Sequence, residues 1–340
     1  ANTTGASNVA IGKDALDANT TGNFNTAVGE TALSANTTNS NNTALGYFSL
    51  PVNTGGNNTA VGAASLAANT TGIDNVAMGA SALFTNTTGA SNTAIGLQAL
   101  EKNTTASNNT ALGFKALEEN TTGTLNVAVG ANCLDDNTTG SSNIGMGQAT
   151  LGSNSTGSNN TAVGHAALFG NTTASNNSAF GHNALVANTT GTSNVAVGAN
   201  SLDANTTASN NTAVGRFALS ANTTGTQNIA VGHEALISNT TASFNTAIGG
   251  YTLHDNTTGT QNAALGDHAL HSNTTGGQNT GIGIDALRSN TTASNNTAVG
   301  KSALTANTTG SALVAVGQAA LTSNTTGGSN TAVGRQSLTA

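Results

Sequence analysis

The chain has 340 residues, of which only 6% are charged and 3% aromatic, with a formal net charge of −7. Ordinary globular domains carry about a quarter charged residues, so composition argues against a conventional enzyme domain, and the lack of a basic stripe argues against nucleic-acid binding. No run of about 18 apolar residues exists, so no membrane insertion is expected, and the apolar residues recur on a schedule that ordinary disordered sequences lack.

The schedule is a repeat. After Ala1 the sequence divides into units 2–18, 19–35, 36–52, 53–68, 69–85 and then every 17 residues to 324–340. Nineteen of these twenty units have 17 residues; unit 53–68 has 16, having lost one residue from its first corner. The consensus is N-T-T-G-x-x-N-T-A-V-G-x-x-A-L-x-A, numbered below as positions 1 to 17. A fixed short period is the signature of a solenoid, and 17 residues are too few for a pair of packed helices, which needs about 33. We read one repeat domain over 1–340.

Along each unit the elements are predicted as follows. N-T-T-G is a corner, because Asn and Gly tolerate left-handed backbone. Position 1 is Asn in every unit (Asn2, Asn19, Asn36 and onward), and position 7 is Asn in every unit (Asn8, Asn25, Asn42 and onward) except for Leu313. Both columns are expected to form ladders, each side-chain amide bonding to its equivalent one coil away. N-T-A-V-G alternates like a strand, with positions 8 and 10 on one face and Ala at position 9 on the other. The invariant Gly at position 11 (Gly12, Gly29) marks a bend needing positive φ or close backbone approach. The A-L pair at positions 14 and 15 reads as a second short strand, and its Leu is present in all units (Leu16, Leu33, Leu50). The fold class predicted is therefore all-β: a parallel β-solenoid of twenty coils, one per unit. Leu16, Leu33 and Leu50, with Val28 and Val61, are expected to pile up in interior columns. At an inter-strand spacing of about 4.8 Å the twenty coils make a rod roughly 95 Å long.

Charges define one side of the coil. Of the 21 charged residues, 20 fall at positions 12, 13, 16 or 17, with Asp74 the exception, and all six histidines fall at positions 12, 13 or 16. The N-T-T-G-x-x-N side is polar and nearly uncharged. It is read mainly as tight corners whose short side chains bond to backbone, with packing against a sister chain or another surface as the sharper alternative.

Little in the chain points to chemistry. The histidines are scattered over variable positions without ligand spacing, no phosphate-binding or dinucleotide motif is present, and Asp and Glu do not recur as in calcium-binding β-rolls. Neither catalysis, a metal nor a cofactor is expected. Cys133 takes the small-residue position 14 and is read as a buried small side chain. Asn-Thr-Thr or Asn-Ser-Thr opens nineteen units and fits the N-glycosylation triplet, although a corner or ladder accounts for that Asn better.

The core N-T-A-V-G-x-x-A-L, as in Asn25 to Leu33, Asn211 to Leu219 and Asn296 to Leu304, resembles the head repeats of YadA-type trimeric autotransporter adhesins. Similar arrays occur in bacterial surface proteins and phage tail-fibre-like proteins. The resemblance implies a left-handed coil and trimeric association. The function expected is a structural or adhesive fibre at a cell surface or on a virion. Its partners are copies of itself, laterally or end to end, and a host surface or glycan. The sequence runs from one unit boundary to another without atypical polar caps, which predicts a piece of a longer protein or a subunit that stacks end to end. The alternative is an ice-binding protein using the threonine file Thr3, Thr20, Thr37, Thr54 and onward.

Overall fold

The computed structural model describes residues 2–339, which fall into two compact units divided after Ala174. Each is a parallel β-solenoid of ten coils. The first carries strands β1 (Val9–Ile11) to β10 (Thr161–Val163), the second β11 (Ser178–Phe180) to β20 (Thr331–Val333). Every strand is three residues long and occupies positions 8 to 10. Neighbouring strands pair in register, Ala27 opposite Ala44 in the first unit and Ala213 opposite Ala230 in the second. The register survives the short repeat: Ala44 faces Ala60, so the missing residue is absorbed outside the strand. No helix occurs among the described residues.

The segment at positions 14 and 15 is not a strand. Positions 13 and 15 both lie in the left-handed region, with φ of 58° at Thr31 and 52° at Leu33, and the same pair recurs in every coil. A left-handed non-glycine residue costs about 1–2 kcal/mol. Full burial of a leucine side chain returns about 1.5–3 kcal/mol, so the leucine can sustain the conformation that turns it inward. Leu33 and Leu50 are wholly buried and Leu16 almost so. The strained backbone still contributes to stacking, since the Leu33 N–H donates to the Ser49 carbonyl of the next coil at 3.0 Å.

The valines sit opposite to expectation. Ala27 and Ala60, at position 9, are wholly buried, whereas Val28 and Val61, at position 10, are half-exposed on the outside of the sheet. Alternation fixes two faces without saying which is interior, and here space decides. A 17-residue coil already contains one leucine, two asparagines and a small residue at position 14. Only a methyl group fits where the strand crosses that interior, and the β-branched side chains are left outside. Gly12 and Gly29 likewise fill no core. They mark a close approach of successive coils: Gly29 has φ of 135°, and a Cβ there would lie 2.4 Å from the Gly46 carbonyl oxygen.

The limited interior is visible at one paired exception. Cys133 stands at position 14, and across from it Gly145 replaces the usual position-9 alanine. A Cβ at Gly145 would meet the Cys133 sulfur at 2.5 Å. The larger side chain in one coil is accommodated by the smaller one in the next.

Candidate functional site

The two asparagine columns are built differently, though neither has any exposed surface at interior coils such as those of Asn19 and Asn25. At position 1 the predicted ladder is present. Asn19 Nδ2 donates to Asn2 Oδ1 at 2.9 Å and to its own coil's Gly22 carbonyl at 3.1 Å, and Asn36 repeats this on Asn19 Oδ1 and the Asn39 carbonyl. The second unit has the same ladder, with Asn222 donating to Asn205 and Asn205 to Asn188.

Position 7 is chiefly a side-chain-to-backbone clamp, and the expected amide-to-amide rung is added to it only in some coils, as from Asn75 to Asn58 at 3.3 Å and from Asn92 to Asn75 at 3.2 Å. Asn8 Oδ1 accepts the backbone N–H of Asn25 at 2.9 Å, and Asn8 Nδ2 donates to the Gly22 carbonyl at 2.8 Å. Asn25 treats Asn42 N–H and the Asn39 carbonyl in the same way, and Asn42 treats Asn58 N–H and the Gly55 carbonyl so. A carbonyl such as that of Gly22 thus receives two amide donors, one from each column, which uses both of its lone pairs. Leu313 cannot supply the clamp, but its own N–H still donates to Asn296 Oδ1 at 2.9 Å.

The threonine file at position 2 is part of this frame. Thr3, Thr20 and Thr54 each donate their hydroxyl to the backbone carbonyl of the equivalent residue in the next coil, at 2.9, 3.1 and 2.9 Å; Thr37, which faces the short coil, lacks that bond. The threonines at position 3, such as Thr4, Thr21 and Thr38, are exposed. They are the hydroxyls that face outward, and alternation beyond the corner is the signal that separates the two files.

The outer face of the sheet is apolar along the whole length of each unit. Position 10 is Val, Ile, Leu, Met or Phe in every coil. Leu45 is 46% exposed, Leu112 45% and Met146 43% in the first unit, and Leu265 is 47% exposed in the second. Threonine or a β-branched apolar residue mostly flanks it at position 8.

The charged side carries local pairs and one ring cluster. Lys115 meets Glu118 at 3.1 Å, and Arg288 meets Asp285 at 3.3 Å. In the second unit Tyr251 stacks on His268 at 5.1 Å, His254 on His271 at 4.9 Å, and His233 meets the edge of Tyr251 at 5.3 Å. Their nitrogens face carboxylates: His254 lies 2.6 Å from Asp255 and 3.4 Å from Glu234, and His268 lies 2.8 Å from Asp267. Partial burial lowers the His271 pKa, against the nearby Asp255. Among the described residues no group of His, Cys, Asp and Glu could hold a metal ion. Cys133 is buried, and burial pushes its thiol up to about 12, leaving it protonated and a poor nucleophile.

No protein-family model matches the chain, and no curated protein matches it.

Proposed function

We propose that the chain is a structural element of an extracellular fibre, in which copies associate side by side through the outer face of the sheet. The observation that carries this is the apolar file at position 10, unbroken within each ten-coil unit and facing outward where an isolated coil has no use for it. Burying the remaining exposed half of a valine or leucine is worth roughly 1 kcal/mol. Ten coils then supply about 10 kcal/mol, against an association cost of about 4–15 kcal/mol. A few coils do not suffice and many do, which supports a reading in which repetition itself serves assembly. A partner must carry an uncharged file with the same coil-to-coil spacing over many coils, and a second copy of this chain meets that requirement. Lateral association also agrees with the resemblance to trimeric adhesin heads.

Sedimentation velocity tests the proposal. The parent chain is expected to sediment as a multiple of its own mass at micromolar concentration, and the variant Leu112→Lys with Met146→Lys as a single chain with an unchanged circular dichroism spectrum. A parent chain that stays monomeric at 100-fold higher concentration overturns it. Ice binding is supported only in altered form, by the exposed position-3 threonines Thr4, Thr21 and Thr38, since hydroxyls in the Thr3, Thr20, Thr37 and Thr54 file are largely committed to backbone. A freezing assay without thermal hysteresis removes that reading.

A further inference from the structure

The chain contains a second class of Asn-x-Ser/Thr triplet, set inside the unit rather than at its start. Asn41, Asn57, Asn108, Asn159, Asn176 and Asn210, and also Asn295, occupy position 6 of an Asn-Asn-Thr or Asn-Asn-Ser sequence. Each of these coils except the short one, whose corner is truncated, also carries an Asn-Thr-Thr or Asn-Ser-Thr triplet at position 1, so the two classes can be compared within one stretch, for example NTTASNNT at 103–110.

The fold treats them oppositely. Asn103 is fully buried, and its Nδ2 donates to Asn86 Oδ1 at 2.8 Å and to the Ala106 carbonyl at 3.0 Å. Both of its amide hydrogens are engaged, and its Asn and its Thr105 point to opposite sides, one inward and one exposed. Asn205 and Asn290 are held in the same way. Asn108 is exposed, as are Asn210 and Asn295. Their φ values of 61°, 61° and 62° put them at the outer apex of a left-handed turn, a conformation that asparagine visits more readily than other non-glycine residues. Strand alternation then sends the middle Asn inward and brings Thr110, Thr212 and Thr297 back toward the outside. The acceptor amide and the hydroxyl two residues on therefore share one open face.

Room differs among these sites. Asn41 Nδ2 donates to Asn57 Oδ1, and Asn57 Nδ2 to Asp74 Oδ1, so two of them are occupied by neighbours. Asn108 is flanked at position 6 by Ser91 and Leu125, Asn210 by Ser193 and Gln227, and Asn295 by Gln278 and Ala312.

We infer that Asn108, Asn210 and Asn295 are acceptor sites for N-linked sugar on the folded chain, and that the position-1 asparagines are closed to it. In the transfer, Nδ2 bonds to the anomeric carbon of a sugar carried on a nucleoside diphosphate. The diphosphate leaves with the electron pair of the anomeric C–O bond, and the amide proton passes to the transferase's base. Because the position-8 hydroxyl must be accessible, transfer precedes lateral association.

The test incubates the dilute folded chain, and in parallel its proteolytic peptides, with a soluble N-glycosyltransferase and its nucleotide sugar. The enzyme used is one that labels the peptides at both classes of triplet. Sites are then mapped by mass spectrometry. On the folded chain, occupancy at Asn108, Asn210 and Asn295 is expected to exceed that at Asn103, Asn205 and Asn290 at least tenfold, while Asn108→Gln removes its own label and leaves the circular dichroism spectrum unchanged. Equal labelling of the two classes on the folded chain overturns the inference, and so does a folded chain left unlabelled at Asn108, Asn210 and Asn295.

Discussion

The coil at 53–68 and its successor at 69–85 differ by one residue, and the difference shows what each part of the repeat does. In the longer coil Asn69 Nδ2 reaches back to Asn53 Oδ1 at 2.7 Å. In the shorter, Asn53 Nδ2 turns to its own Gly55 carbonyl at 2.7 Å, and the rung to the preceding coil is not made. Asn36 Oδ1 is left buried without a partner. Next to it, Asn39 replaces the Gly or Ala found at position 4 elsewhere, and its Nδ2 donates to the Thr54 carbonyl, a group that the regular corner would engage through backbone. The apolar interior does not register the loss: Leu66 is as fully buried as Leu83. The corner and the core are therefore separable, and the damage is confined to the corner.

That separation can be broken by experiment. The largest effect is expected in the core, where Leu66→Ala and Leu83→Ala should each lower stability by about 2–5 kcal/mol and by the same amount within error, as read by urea denaturation. A markedly smaller loss at Leu66 means that the deletion has loosened the interior too. Next comes the ladder. Asn86→Ala strands buried polar groups at about 1–3 kcal/mol; Asn36→Ala should cost about 1 kcal/mol less, because it also removes an oxygen that has no partner. Equal losses would mean that a water already occupies the vacant rung. Inserting a threonine after Thr54 together with Asn39→Gly restores the consensus corner, and a gain of about 1 kcal/mol is expected, with slower hydrogen exchange over residues 53–58. No gain shows that Asn39 already compensates in full.

The smallest effect lies on the charged side, where neither coil is special. Burial, with the Asp136 and Glu118 charges, raises the Asp135 pKa from 3.8 to about 6. A carboxyl whose folded pKa is raised binds its proton more tightly in the native state, so its contribution favours folding at low pH and is lost as pH rises from about 4 through about 6. Asp135→Asn should therefore raise the melting temperature slightly at pH 7 and leave it unchanged near pH 3.5. A variant less stable at pH 7 would show the carboxylate to be favourably paired.

Much of this could be read from the chain before its structure. The period, the invariant Gly at position 11 and the invariant Leu at position 15 are constraints that every coil shares, so twenty copies report them without ambiguity. The inward alanine was not legible in the same way. Val28 is more apolar than Ala27, and hydropathy puts it inside; the coil's narrow cross-section puts it out, and no local pattern encodes that width. Leu33 departs from its sequence pattern for a related reason. Its β-like neighbours suggest a strand, whereas its left-handed backbone is sustained by burial that only the closed coil provides. The asparagines were half legible: Asn2 and Asn8 look equivalent in sequence, and only the direction of each side chain shows the first column laddering from coil to coil and the second bonding chiefly to backbone. The outer triplets at Asn108, Asn210 and Asn295 do not stand out in the sequence, because their value depends on which side of the chain each residue faces.

The clamp at position 7 has a direction. Asn8 serves the backbone N–H of Asn25, Asn25 that of Asn42, and Asn42 that of Asn58, always toward the later coil. On a ribosome the earlier coil emerges first, so each finished turn holds out an oriented amide to the stretch still being made. Growth then resembles accretion on a template: one coil is placed at a time, and the search never extends beyond the next seventeen residues.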